Sequence, residues 1–319
     1  MTTAQPRRLW FQFSLKGLML MVLVAAIPCG WLKWKIDRKA RERAAVAEIK
    51  RVGGYYGYDW QMARKGYDKG QPPGPVWLRK LLGDNFFSNV VSVSLVDLSG
   101  LPELTEEWLH LLEPLSELTN IQIGTPITDD GMRYLMRFTK VKELKLWTSG
   151  VTDSGLIGLN GLTQLEGLYL ERIGGTDASV TDASLAQLKG LTKLKTLTLA
   201  GTGVTDAGLV HLRALTALEV LNLGDCRVCD AGLIHLERLP LLRELYLYET
   251  DVTDSGLVHL KGLTSLDLLY LYGTAVTDAG LVHLKGLTNL ETLMLSHTAV
   301  TDAGIADLQS ALPKCKILR

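Results

Sequence analysis

Leu245-Tyr246-Leu247-Tyr248-Glu249-Thr250-Asp251-Val252-Thr253-Asp254-Ser255-Gly256-Leu257 is answered, 24 residues on, by Leu269-Tyr270-Leu271-Tyr272-Gly273-Thr274-Ala275-Val276-Thr277-Asp278-Ala279-Gly280-Leu281. The same frame extends in both directions. Thr-Asp recurs at 128, 152, 181, 205, 253, 277 and 301, and Cys229-Asp230 fills the one vacant place. Every spacing is 24 except that between 152 and 181, which is 29 and implies a five-residue insertion around Ile173–Asp177. A looser unit starts near Val91, with Thr105 as its counterpart.

Each unit reads physically as one coil. Leu-x-Leu is a short strand whose two leucines face the same side, because side chains alternate along a strand. Thr then caps a short helix, Asp favours its positive end, and Leu281 and Leu284 line the inner face of one such turn. A single unit cannot bury these leucines, so neighbouring units must stack and share one core. A period of 24 containing Leu-x-x-Leu-x-Leu is the leucine-rich-repeat signature. The expected architecture is an α/β leucine-rich-repeat solenoid, with a parallel concave sheet and short convex helices. About nine repeats fill 91–319.

The Val-Thr-Asp-x-Gly-Leu units resemble the cysteine-containing, ribonuclease-inhibitor-like subclass of leucine-rich repeats. Phe13-Ser14-Leu15-Lys16 before an apolar run, with Ala44-Ala45-Val46 and Gly53-Gly54 after it, looks like the leader of membrane-anchored repeat proteins of planctomycete bacteria. The resemblance implies binding of a protein partner on the concave face. The same subclass forms the substrate arm of F-box ubiquitin-ligase receptors, but no F-box is recognisable ahead of the repeats.

Ahead of the repeats the composition changes. Residues 1–51 carry eleven Lys/Arg against three Asp/Glu, a net of +8; the whole chain is neutral, so residues 52–319 carry −8. An acidic body argues against nucleic acid as a partner, since phosphates are repelled. Gly17–Leu32 holds sixteen uncharged residues, and Trp10, Trp31 and Trp34 sit at the places of interfacial aromatics. That pattern predicts one transmembrane helix within a leader of residues 1–34, touching membrane lipid and tethering the protein as a single-pass membrane protein. Cleavage after Ala26 and lipidation at Cys29 are the rival readings. The excess of Lys/Arg after the run favours a cytoplasmic body. Residues 35–90 then form a juxtamembrane helix over Ile36–Lys50 and a cap for the first repeat. The aromatic run Tyr55–Trp60 is a possible ligand site there, second to its role as cap.

The candidates for chemistry are few. Cys226-Arg227-Val228-Cys229 is a C-x-x-C at the start of a helix, where a thiol's pKa is lowered, yet its cysteines occupy the Thr274 and Thr277 places of a sister repeat. His211, His235, His259 and His283 form a column, one per repeat, read as a repeated surface residue and not a metal site. The Asp column reads as helix-end charge. No P-loop, G-x-S-x-G or H-E-x-x-H occurs. No cofactor, metal or catalytic residue is expected, and the chain reads as a binding protein.

The predicted site is the concave face. Tyr246, Tyr248, Tyr270 and Tyr272 are expected as one exposed patch, with Tyr169, Trp147, Glu244 and Met294 beside it. Tyrosine clusters of this kind favour interface centres. The alternative function is a self-associating structural or envelope protein.

Overall fold

The computed structural model describes residues 15–62, 71–96, 106–125, 127–147, 151–171 and 180–319, without the side chains of 15–25, 28, 62, 106–107 and 147. The insertion at Ile173–Asp177, Thr105, and the leader's Trp10 lie outside the described residues.

Among the described residues eleven strands form one sheet in chain order. They are β1 (Tyr55–Tyr58), β2 (Val90–Leu95), β3 (Asn120–Ile123), β4 (Glu143–Trp147), β5 (Gly167–Glu171), β6 (Thr196–Thr198), β7 (Val220–Asn222), β8 (Glu244–Tyr246), β9 (Leu268–Tyr270), β10 (Thr292–Met294) and β11 (Lys316–Leu318). β1 pairs antiparallel with β2, and every later pairing is parallel. Short α and 3-10 turns return the chain between strands. The fold is a leucine-rich-repeat solenoid.

The coil closes because each turn supplies the same buried column. In one coil these are Leu221, Leu223, Val228, Leu233, Leu236, Leu239 and Leu242, all fully buried. Each buried leucine contributes roughly 1.5–3 kcal/mol, and only stacked coils collect it. On the outer surface the residue after each helical leucine stays exposed, as at Val210, Ile234, Val258 and Val282.

The Thr-Asp pair joins the coils. Thr205 Oγ1 accepts from the amide of Ala207 at 3.3 Å, which is the expected helix cap. Its amide and hydroxyl also donate to the carboxylate of Asp182 in the preceding coil, at 2.8 and 2.6 Å. The same two bonds link Asp129 to Thr152, Asp153 to Thr181, Asp230 to Thr253, Asp254 to Thr277 and Asp278 to Thr301. The Asp column is therefore an inter-coil ladder, and its carboxylates do more than supply helix-end charge. The glycine of Thr-Asp-x-Gly is part of it: at Gly208 a Cβ would collide with the Asp182 carboxylate. Where Ser184 replaces that glycine, its hydroxyl donates to Asp153 instead.

At the N-terminal end the transmembrane expectation is overturned. Among the described residues no helix is long and apolar enough to cross a membrane. Leu15–Arg51 is one unbroken helix, α1. The uncharged run Gly17–Leu32 is only sixteen residues, short of the roughly 20 that a span needs, and from Lys33 to Arg51 the helix carries eight cations and three carboxylates, which leaves a single apolar stripe there. That stripe, Ala45, Val46 and Ile49, is buried in the solenoid core with Val52 and Tyr58. The single-pass membrane localisation and the lipid contact assigned to this helix fall with the span. Lys39 and Glu42 are buried as an ion pair at 2.8 Å, and Lys39 Nζ also donates to the Ser88 carbonyl. The ion pair lies within α1, and the Lys39 bond to Ser88 fastens the helix to the loop before β2.

Candidate functional site on the concave face

The leucines of each strand point into the core, so the residues between and beside them face the concave side. Parallel register places Tyr246 beside Tyr270, and their rings lie 4.9 Å apart between centroids, tilted by 35°. Glu244 accepts a hydrogen bond from the Tyr246 hydroxyl at 2.8 Å. Burial, and after it that bond to Glu244, holds the Tyr246 phenol well above its ordinary pKa. Glu244, Tyr246 and Tyr270 thus form one unit across β8 and β9.

The other predicted residues are placed differently. Tyr248 turns back toward β7, and its ring lies over Gly224, where any Cβ would collide with it. It engages Asn222 there, and burial raises its pKa. Tyr272 packs edge-on against His297 at 4.9 Å. Tyr169 lies under Lys145, whose Nζ sits 4.5 Å from the ring centroid. The Met294 sulfur accepts from the Ser296 hydroxyl at 3.6 Å. Trp147 belongs to β4 by its backbone, and its side chain lies outside the described residues. The four tyrosines are half-buried, two stacked on each other and two turned to separate neighbours. Thr198, between the core leucines Leu197 and Leu199, is buried.

Just past the strands lies a feature the repeat pattern did not bring forward. One residue beyond each concave edge, Gly201, Asp225, Glu249, Gly273 and His297 all have φ between 53° and 70°. Their repeat position is left-handed in five successive coils, which suits glycine and costs other residues energy. Asp225 and Glu249 donate their amides to the carbonyls of Tyr248 and Tyr272 at 2.8 Å, so this rim continues the ladder. The Glu249 carboxylate lies across Gly273, where a Cβ would come within 2.9 Å of it. The signal in the sequence was a column in which glycine alternates with Asp, Glu and His.

The cysteines and histidines do not form a chemical site. Cys226 is buried and Cys229 partly so, and both are free thiols. Burial pushes the Cys226 thiol up, and donation to Asp206 pushes the Cys229 thiol up. The helix terminus does not win at Cys229. His259 Nδ1 pairs with Glu237 at 2.7 Å, whereas burial and Arg213 lower the pKa of His235. Among the described residues no cluster of three or more His, Cys, Asp or Glu could hold a metal ion. A cavity of about 540 Å³ lined by Tyr55, Tyr56, Tyr58, Trp60 and Lys50 lies in the N-terminal cap.

No family model matches the sequence, and no curated protein does. Among solved structures the chain is similar to internalin C2 of Listeria monocytogenes, at 24% identity over 60% of this chain and 84% of that one, TM-score 0.40. It is similar to internalin InlF of the same bacterium, at 20% identity over 76% and 92%, TM-score 0.37. It is also similar to the plant peptide hormone receptor RGFR1, solved in complex with RGF2, at 15% identity over 72% and 35%, TM-score 0.47.

Proposed function

We infer that the protein is a recognition module that takes a protein partner on the concave face of its solenoid. The observation that carries this reading is the Tyr246–Tyr270 pair, held at 4.9 Å and anchored by Glu244. Two large rings fixed at the centre of a sheet present apolar area with polar tips, and little side-chain entropy remains to be lost on binding. Met294 stands beside Tyr270 on β10, Tyr169 lies three strands before Tyr246 on β5, and Trp147 belongs to β4. Tyrosines pairing only to support adjacent strands would contribute roughly 0.2–1 kcal/mol each and leave binding untouched.

The test is the double variant Tyr246→Ala/Tyr270→Ala in the full chain. Capture of bound protein in a pull-down is expected to be lost, while the circular-dichroism melt stays within a few degrees of the parent. Retained capture with a collapsed melt would assign the pair to the fold and move the site elsewhere.

A further inference from the structure

The concave positions of β6 to β10, together with the rim beyond them, run from Thr196 to His297 and contain no Lys or Arg. They contain three carboxylates, Asp225, Glu244 and Glu249. Two of these bracket the tyrosines on a single coil: Glu244 opens β8, Tyr246 and Tyr248 follow, and Glu249 stands just past them. Arg243, on the edge before β8, is paired with Asp267 at 2.5 Å. The tyrosine floor is thus walled by negative charge with no cation of its own.

A second observation is independent of charge counting. Asp225 and Glu249 occupy the left-handed rim position, at φ 53° in both cases, where Gly201 and Gly273 sit without strain. A non-glycine residue there costs of the order of 1 kcal/mol, and such strain gathers at ligand-binding sites. Both residues are exposed at that position.

A third observation shows what such a floor accepts. One cation does lie on a concave tyrosine within this sheet: Lys145, centred 4.5 Å above Tyr169. Cations bind the negative faces of aromatic rings, and nearby carboxylates add to that attraction.

We propose that the groove over β8 and β9 takes a cationic, Lys- or Arg-bearing peptide segment of the partner, its charged ends paired with Glu244 and Glu249 and its aliphatic stems lying on the tyrosines. This rests on the concave-face reading above and adds the chemistry of the ligand. Long basic side chains suit the surface, since their stems cover apolar rings while the charged head stays at the rim.

The experiment is selection of a random twelve-residue peptide library on the immobilised full chain, followed by affinity measurement of selected peptides against variants. Enrichment of Lys and Arg is expected. Glu244→Gln/Glu249→Gln should weaken the selected peptides on the order of tenfold at low salt and much less at high salt. Glu249→Gln alone, at an exposed position, serves if the double variant does not fold. Peptides that lose binding with Tyr246→Ala/Tyr270→Ala but show no Lys or Arg enrichment would overturn the cationic ligand and leave the concave-face reading standing. Peptides indifferent to both variants would overturn both.

Discussion

Cys229 Sγ donates to Asp206 Oδ2 at 2.6 Å, and the Cys229 amide donates to Oδ1 of the same carboxylate at 2.9 Å. In six neighbouring junctions a threonine hydroxyl makes that bond. Cys226 stands in for another threonine: Thr202, Thr250 and Thr274 donate to a leucine carbonyl three residues back, whereas the Cys226 thiol donates to Leu199 of the preceding coil at 3.1 Å. The C-x-x-C spacing is thus two substitutions in two separate columns.

Neither thiol is therefore expected to act as a redox nucleophile. Both pKa values lie above the ordinary thiol range, Cys226 through burial and Cys229 through its bond to Asp206, so neither is a thiolate at neutral pH. In a thiol titration of native protein, exposed Cys29 should react quickly, with Cys226, Cys229 and Cys315 following only on unfolding. Cys229→Thr should leave stability within about 1 kcal/mol of the parent, whereas Asp206→Ala should lose roughly 1–3 kcal/mol by stranding its two donors. Rapid labelling of three thiols, or a Cys226–Cys229 disulfide by mass spectrometry, would reverse this assignment.

The ladder also sets the acid limb of stability. Burial works to raise the Asp153 pKa, but the bonds from Ser184 and Thr181 outweigh it and leave the carboxyl below its ordinary value. Thr301 does the same for Asp278. A carboxyl whose folded pKa is depressed stabilises the fold above its unfolded pKa, and the contribution disappears as pH falls through the folded value. The melting temperature should therefore be level from neutrality to about pH 5 and fall below about pH 4. Asp153→Asn should flatten that fall. An acid limb unchanged in the variant would place the responsible carboxylates outside the ladder.

The coil was legible in the sequence because its cause is periodic. Leu221 and Leu245 sit at equivalent places and meet equivalent neighbours, so a count of 24 locates both. The strand register, the capping threonines and the tyrosines' assignment to the concave face follow from the same count. What was not legible depends on a partner in another coil. Asp182 finds its acceptor role only when Thr205 is stacked on it, and nothing within its own unit shows that. Tyr248 turns over Gly224 because the neighbouring coil lacks a Cβ there, a matter of two residues jointly. The run Gly17–Leu32 was read as lipid-facing from its local hydropathy alone, whereas α1 continues unbroken to Arg51 and its later turns dock through Ala45 and Ile49, a property of the assembled end of the solenoid.

That docking end carries its own prediction. Lys39 and Glu42 are each about 5% exposed at the side chain, and Lys39 donates to Glu42, to the Ser88 carbonyl and to the Asn89 side chain. Removing one member of such a pair leaves an uncompensated buried charge, at a cost of roughly 3–5 kcal/mol. Lys39→Met should thus destabilise the N-terminal end strongly, and Lys39→Met/Glu42→Leu should recover much of the loss. Denaturant unfolding of both variants tests this. A double variant no more stable than the single one would mean that the lost Ser88 bond, and not the unpaired Glu42 charge, accounts for the destabilisation.

The rim residue Glu249 joins stability to recognition. Its φ of 53° is one that glycine adopts freely, and Gly273 does so at φ 70° in the next coil. Glu249→Gly should therefore stabilise the fold by roughly 0.5–1 kcal/mol, the relief of left-handed strain less the entropy that glycine adds to the unfolded chain. The same change removes the carboxylate that stands opposite Glu244, so it should weaken Lys- and Arg-bearing peptides that the parent binds. A variant that is more stable and binds less tightly would show that the strain is retained for recognition, as at other sites where activity opposes stability. Calorimetric melting alongside peptide affinity separates the cases. Unchanged affinity with raised stability would leave Glu249 as strain without a role in binding. Lowered stability would mean that its carboxylate, lying across Gly273, steadies the neighbouring coil by more than the backbone conformation costs.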